Sequence, residues 1–364
     1  MTVTLTGQSM LRSDLRASAP SEAAVIASLV KGADVAFTNF EGTIALPGQP
    51  NSDVPAQGRG FLAPPEAMEA LKSMGFNLFA LSNNHSADLK VPGIHNTLQT
   101  VTRLNLAHAG IGNTIQEAVA PGYLHTPKGT VALIAMASGL VPAGGSATAA
   151  RPGVNELRIE NGNTPNEKDA KSILDSIRDA SKKADLVIVY QHNHVFDHPF
   201  TVIFEEGMPE RLRPPDWLQK WAHREIDAGA DLIVMHGAPL LHGIEMYKGR
   251  PIFYDLGNFI YNVPPALWYI QEPMAWESAV VTVEFQAKRP RSIRLRPIVM
   301  NVIGKGQPDA QDLHANNQFL QTRGLPQTAT GEKAGYILDR LAQFSRPFGT
   351  TIEIKAGTGE IRLN

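Results

Sequence analysis

The sequence predicts an α/β fold that carries its chemistry along one edge of a sheet. Three observations predict it. Helical periodicity alternates with short apolar runs along most of the chain. Those runs end repeatedly in amide, carboxylate or imidazole side chains, where open α/β sheets place their sites. The run VIVYQHNHVFDH, residues 187–198, passes straight from buried-strand composition into His192, His194 and Asp197.

Each element follows in chain order. VTLTGQ is a β-like run ending at Gln8. SEAAVIASLVKGADVAFTNFE opens on a serine cap, continues at helical spacing and closes as a strand at Asn39 and Glu41. PPEAMEALKSMGFNLFALSNNH repeats the plan and ends at Asn83, Asn84 and His85. VPGIHNTLQTVTRLNLAHAGIG starts with a proline suited to a first helical turn and reaches His108. TVALIAMAS is a strand. Residues 138–165, rich in Gly, Ala, Pro and Asn, read as a long loop insertion and not a domain linker. EKDAKSILDSIRDASKKADLVIVY is an amphipathic helix leading into the strand before His192, and PPDWLQKWAHREIDAGADLIVMHG repeats it before His236. RPIFYDLGNFIY and ESAVVTVEF read as antiparallel or edge strands beside SIRLRPIVM. The helix GEKAGYILDRLAQFSRPFG and the strand TIEIK close the chain, which has no repeat of fixed length.

With 364 residues and 43% hydrophobic composition, the chain can bury a large core. A net charge of -2 offers no basic surface, so neither nucleic acid nor an anionic membrane is an expected partner. No run approaches the roughly 20 apolar residues of a spanning helix. MTVTLTGQSM has no basic or apolar leader region, so the expectation is a cytoplasmic protein acting on a small molecule. Homo-oligomerisation stays open. Cysteine is absent, which excludes disulfides, thiol nucleophiles and thiolate metal ligands.

These segments resemble the CapA family of poly-gamma-glutamate capsule synthesis proteins, within the calcineurin-like metallophosphatase superfamily. The motifs run from Gly7 to Tyr261. Gly7-Gln8 falls on the family's Gly-Asp, Asn39-Phe40-Glu41 on its Asn-x-Glu, and Asn83-Asn84-His85 with Asp88 on its Asn-Asn-His. His192-Asn193-His194 falls on its His-Trp-Gly, and MHGAP, residues 235–239, on its Gly-His-x-Pro-His. GIEMYKGRPIFYDLGNFIY matches almost throughout.

The resemblance implies a four-layer α/β/β/α sandwich over residues 1–300, interrupted by the insertion at about 138–165, with 301–364 packed on the same domain as a helix and a short strand. It implies metal ligands at Glu41, Asn84, His192 and His236, and a general acid at His85. Two departures matter. Gln8 stands where the family has an Asp ligand, and Pro239 where it has a second late histidine. Both positions serve one of the superfamily's two metals. The implied site is therefore mononuclear, and a second metal is not expected unless His194, His242 or Gln8 rebuilds its position.

Elementary chemistry agrees with that set. Two imidazoles, a carboxylate and an amide oxygen suit one divalent transition metal (Zn, Mn, Fe or Co), with zinc bonds at about 2.0–2.2 Å. Such a metal lowers the pKa of bound water to about 7 and polarises a phosphoryl or carbonyl oxygen. His192 and His194 share parity, so a continuing strand turns both to one side, as ligand and catalytic group. Asp197 is a candidate to orient an imidazole. Asn39, Glu245, Asp255 and Asn258 are candidates for hydrogen-bonded support. Arg151, Arg211 and Arg213 suit an acidic substrate or a solvated surface. Trp268, Tyr269 and Trp276 suit an aromatic wall, an oligomer contact or core filling. Plainer alternatives stand beside these: a capping carboxylate for Glu41, a surface pair for His192 and His194, a satisfied strand end for His236. The expected function is a metal-dependent hydrolase of a small phosphoester or amide. The alternatives are a mononuclear lyase or oxygenase on a small organic acid, and a non-catalytic binding protein that kept the fold.

Overall fold

Along the strand Leu186–Asn193 the side chains alternate between two apolar layers. Leu186, Ile188 and Tyr190 enter one, and Val187 and Val189 the other. Leu232–His236 does the same, with Leu232 and Val234 opposite Ile233 and Met235. Strands apolar on both faces belong to a sheet covered on both sides. The computed structural model, which describes residues 1–47, 60–263, 272–306 and 318–363, shows how.

Six strands form one sheet in the order Ile244–Tyr247, Arg250–Phe253, Leu232–His236, Leu186–Asn193, Gly129–Ser138 and Gly122–Thr126. A nine-stranded sheet lies against it. Its order is Ile352–Lys355, Thr358–Ile361, Arg289–Met300, Glu277–Gln286, Thr2–Leu5, Val35–Asn39, Leu78–Ala80 and Ala107–Ala109, with Pro326–Thr328 added beside Arg289–Met300. Val3, Leu5, Val35 and Phe37 of one sheet share a core with Leu133, Ile188 and Val234 of the other. Helices Pro20–Val30, Pro65–Ser73 and Lys90–Arg103 cover the outer face of the nine-stranded sheet. Helices Glu167–Lys183 and Asp216–Ala228 cover the six-stranded one, burying Ile173, Ile177, Trp217 and Trp221. Each such apolar side chain contributes about 1.5–3 kcal/mol. The product is the four-layer α/β/β/α sandwich.

The period-two rule also places the site. His192 continues the inward row of Leu186, Ile188 and Tyr190, and His236 continues that of Leu232 and Val234. The two histidines are register partners on neighbouring parallel strands. Asn39 extends the inward row of Val35 and Phe37 on the facing sheet. Inward rows from both sheets thus end in polar groups at the strands' carboxyl ends.

Several elements differ from the sequence reading. The first long helix begins at Pro20 with Ala19 as its cap, because proline in the first turn makes the Ser21 cap unnecessary. VTLTGQ splits into Thr2–Leu5 and a separate strand, Gln8–Met10. ESAVVTVEF does pair antiparallel with SIRLRPIVM. RPIFYDLGNFIY meets them through the antiparallel bridge Gly257–Ser278: Arg250–Phe253 pairs antiparallel with Ile244–Tyr247 and parallel with Leu232–His236, and Asn258–Tyr261 runs parallel to Gln8–Met10. Gly7 permits that last approach, since a Cβ there would lie 2.3 Å from the Gly257 carbonyl oxygen. Part of the 138–165 stretch is paired, Gly153–Val154 lying against Ile111–Gly112. Helix Gly331–Ser345 feeds Ile337, Leu338 and Leu341 into the layer between the sheets. Among the described residues, no helix is long and apolar enough to cross a membrane.

Candidate metal centre

The inward rows converge on a group of ligand atoms, two of its three residues buried and His194 half-buried. One atom each from Glu41, His192 and His194 lie within 4.8 Å of one another. His192 Nε2 is 3.7 Å from Glu41 Oε1 and 3.0 Å from His194 Nε2. The other nitrogen of His192, Nδ1, meets the Tyr190 hydroxyl at 3.0 Å. When Nδ1–H donates to that oxygen, Nε2 presents its lone pair to the cluster, the arrangement a ligating imidazole needs.

Burial sets the charges. It pushes the Glu41 carboxyl up to about 7, against the pull of His85 and with the push of Asp88. It holds His192 well below the usual imidazole range, helped by His194, His236 and His85. His194 is pushed down to about 3 by burial and then by His85, and His236 to about 3 by burial, opposed by the Thr6 main chain. All three imidazoles are therefore neutral, as ligands must be.

Polar atoms without partners mark the same place. Glu41 Oε2, Asn84 Oδ1, Gln8 Oε1 and His194 Nδ1 are sealed from solvent with no hydrogen bond. Native interiors seldom leave such atoms unpaired, and an unfilled ligand set is one explanation for a cluster of them. These are nitrogen and oxygen donors of the kind a divalent transition metal takes, so the residues fit the implied group.

Neighbouring residues hold these groups in position. Asn83 donates from Nδ2 to Asn39 Oδ1 at 3.1 Å and to the Phe40 carbonyl at 2.8 Å, and its own Oδ1 accepts the His85 amide. One side chain thus ties the loop of Asn84 and His85 to the strand end before Glu41. Asn39 Nδ2 is left without a partner. His85 Nδ1 meets Asp88 Oδ2 at 2.8 Å. Burial pulls that imidazole down, but Asp88 and Glu41 outweigh it, and its pKa is raised overall. Asn258 donates to the Ala275 carbonyl, so its Oδ1 accepts from Gln8 Nε2 at 2.8 Å and leaves Gln8 Oε1 free. Asp255 fixes the turn after His236 by accepting from the Ala238 and Gly257 amides. Gly237 is needed there: its φ is +128°, and a Cβ would lie 2.1 Å from the Asn193 carbonyl oxygen.

The structure does not bring every expected residue to this place. His236 is beside the cluster, its ring 5.3 Å from that of Tyr190, but its nitrogens stand outside the three-residue group. Asp197 orients no imidazole: it is exposed and lines a surface cleft with Trp217 and Arg224, because the strand ends at Asn193. His242 is no substitute ligand through Nε2, which bonds to the Glu210 carbonyl at 2.7 Å. Glu245 is engaged by His223 and Tyr254 at the far side of the six-stranded sheet. Arg211 and Arg213 pair with Glu272 and Asp216, and Arg151 bonds to the Ser146 carbonyl. Trp276 is core filling against Tyr261, while Trp268 and Tyr269 lie outside the described residues. Sequence reasoning missed Tyr190 and Asn83 as positioning residues. Parity with His192 was the available signal for Tyr190.

A four-layer α/β/β/α sandwich with imidazoles and a carboxylate gathered at its strand ends frames a candidate metal centre. Residues 2–263 match the family described as bacterial capsule synthesis protein PGA_cap. The chain belongs to that family. An "Uncharacterized protein y4sH" of Sinorhizobium fredii is 30% identical over 93% of this chain and 88% of its own length. The "PGA biosynthesis protein CapA" of Bacillus subtilis is 30% identical over 54% of this chain and 46% of its own. Among solved structures, a phosphatase from Mycoplasma pneumoniae covers 82% of this chain and 93% of its own at 12% identity and a TM-score of 0.47, a likeness too distant to carry function.

Proposed function

We propose that this protein is a metal-dependent hydrolase of a small phosphoester or amide, working with one divalent transition metal (Zn, Mn, Fe or Co). Glu41, His192 and His194 would hold it, with Asn84 Oδ1 as a further oxygen ligand and His236 as the alternative second imidazole. The observation that carries this reading is the meeting within 4.8 Å of three ligand atoms, from the buried Glu41 and His192 and the half-buried His194. Gln8 and Pro239 remove a carboxylate and an imidazole from the position the superfamily uses for its other metal, which favours a single ion. When bound, the metal supplies an acidified water and a polarised phosphoryl or carbonyl oxygen.

The chain's own residues do the rest. Glu41 supplies the negative charge that neutral imidazoles lack. Tyr190 keeps His192 in the ligating tautomer, and Asn83 holds the Asn84 loop against the Glu41 strand end. His85, with Nδ1 engaged by Asp88, has Nε2 left to carry a proton to a leaving group. The relatives named for PGA biosynthesis favour an amide among the substrates, while the sandwich architecture favours a phosphoester.

The test is metal analysis of protein expressed in metal-replete medium, joined to a hydrolysis screen of phosphomonoesters and glutamyl amides. A single equivalent, removed by chelator together with activity and restored by one metal, is expected. No bound metal would sink the enzyme reading, and two equivalents would sink the single-metal one.

A further inference from the structure

Arg12 is the charged side chain that the site as described leaves unexplained. It is only 6% exposed. Its Nε donates to the Asn262 carbonyl at 3.0 Å, and its guanidinium lies 3.8 Å over the centre of the Phe61 ring. Phe61 in turn sits 5.9 Å from the His85 ring. The nearby carboxylate, Asp88, makes no ion pair with it; its Oδ2 accepts from the Phe61 amide at 2.6 Å and faces His85 Nδ1 at 2.8 Å. Among the described residues Arg12 makes no ion pair, and neither of its terminal nitrogens donates to a protein acceptor. Burial pulls its pKa down to about 10, opposed by Asp88, so it keeps its charge at neutral pH.

A second buried arginine shows what a structural role looks like. Arg323, 3% exposed, also stacks on an aromatic ring, that of Trp276. Its Nε and Nη1 are used on the carbonyls of Val302 and Val263. Arg12 has the stacking and one anchoring bond but keeps its planar fork unused. A guanidinium held in place by stacking, with terminal nitrogens that still reach solvent and have no protein acceptor, is built to take two oxygens of one anion.

We propose that Arg12, stacked on Phe61 beside His85 and Asp88, is a substrate-binding residue that recognises an oxyanion, a phosphate or a carboxylate, on the molecule processed at the neighbouring site. This deepens the hydrolase reading and rests on it only for the anion's belonging to a substrate. The Phe61 ring and the Asn262 carbonyl hold the guanidinium before the anion arrives, so little side-chain ordering remains to oppose binding.

The test measures binding of inorganic phosphate and, separately, succinate to the full chain, metal-loaded and chelator-treated. Wild type is compared with Arg12→Lys, which keeps the charge but not the fork, and Arg12→Gln. Both variants should weaken the preferred anion by roughly tenfold or more at unchanged metal content. The preferred anion names its source as phosphate or carboxylate. A wild-type crystal grown with that anion should place its oxygens within hydrogen-bond distance of the Arg12 terminal nitrogens. This crystal decides the matter if the variants do not fold. Binding unaltered in Arg12→Lys, an anion seated away from Arg12, or no binding of either anion to wild type overturns the proposal. Arg12-dependent anion binding in a protein that holds no metal would fell the hydrolase reading and leave this one standing.

Discussion

Glu41 and Glu277 are both buried carboxylates, and they are buried in opposite ways. Glu277, at the start of Glu277–Gln286, is clasped by Lys333 and Arg340 of helix Gly331–Ser345. Glu41 faces a neutral imidazole at 3.7 Å and keeps one oxygen with no partner. A carboxylate buried to hold a fold is matched by cations, because an unmatched buried charge is costly. One left unmatched among imidazoles awaits a positive charge that the chain does not supply.

The sharpest break of this contrast is Glu277→Ala. It should cost about 3–5 kcal/mol in urea unfolding, since Arg340 loses its buried partner, and should leave metal content unchanged. A cost under about 1 kcal/mol would mean the clasp is not structural. His192→Ala should do the reverse. Metal affinity by equilibrium dialysis should fall by more than the roughly 10–100-fold typical of an outer partner, with metal-free stability little changed. Metal bound as in wild type would end the comparison.

A third buried glutamate sharpens it by pH. Glu225 of helix Asp216–Ala228 is fully buried, and burial holds its carboxyl well above the usual range, against Trp221 and Arg224. The folded state therefore keeps a proton that the unfolded chain releases near pH 4. Its contribution to stability is full below the unfolded value and is lost progressively as pH rises above it. Glu225→Gln should match wild type at pH 4 and exceed it by about 1–2 kcal/mol at pH 8, read as the difference in melting curves. Equal curves at pH 8 would show that Glu225 is not held protonated. Smallest of all, Tyr190→Phe should lower metal affinity by about tenfold without moving the fold, because only the orientation of His192 is lost. An unchanged affinity would remove Tyr190 from the site.

What the sequence discloses follows from local rules. The continuous apolar runs LVIVY and DLIVM were enough to place His192 and His236 at strand ends, and the structure makes them register neighbours. Period-two patterning carries no information about where a strand stops, so Asp197, beyond the end at Asn193, was read as nearer the imidazoles than it is. The Gln8–Met10 pairing with Asn258–Tyr261 was invisible because it joins segments 250 residues apart through main-chain bonds. Arg12 was passed over for a related reason. Nothing in MLRSD distinguishes a solvated arginine from one stacked on Phe61, a residue brought to it by the fold.

The strand Thr2–Leu5 lies inside the nine-stranded sheet, between Val35–Asn39 and Glu277–Gln286. During synthesis one of its two edges therefore stays bare until Glu277–Gln286 has left the ribosome. The Gln8 corner must likewise wait for its distant Asn258 partner. Such distant closure is slow and leaves an unpaired strand exposed to other chains in the meantime. Truncations that spare every residue of the pocket but remove Glu277–Gln286 would thus yield aggregates in place of a smaller working protein.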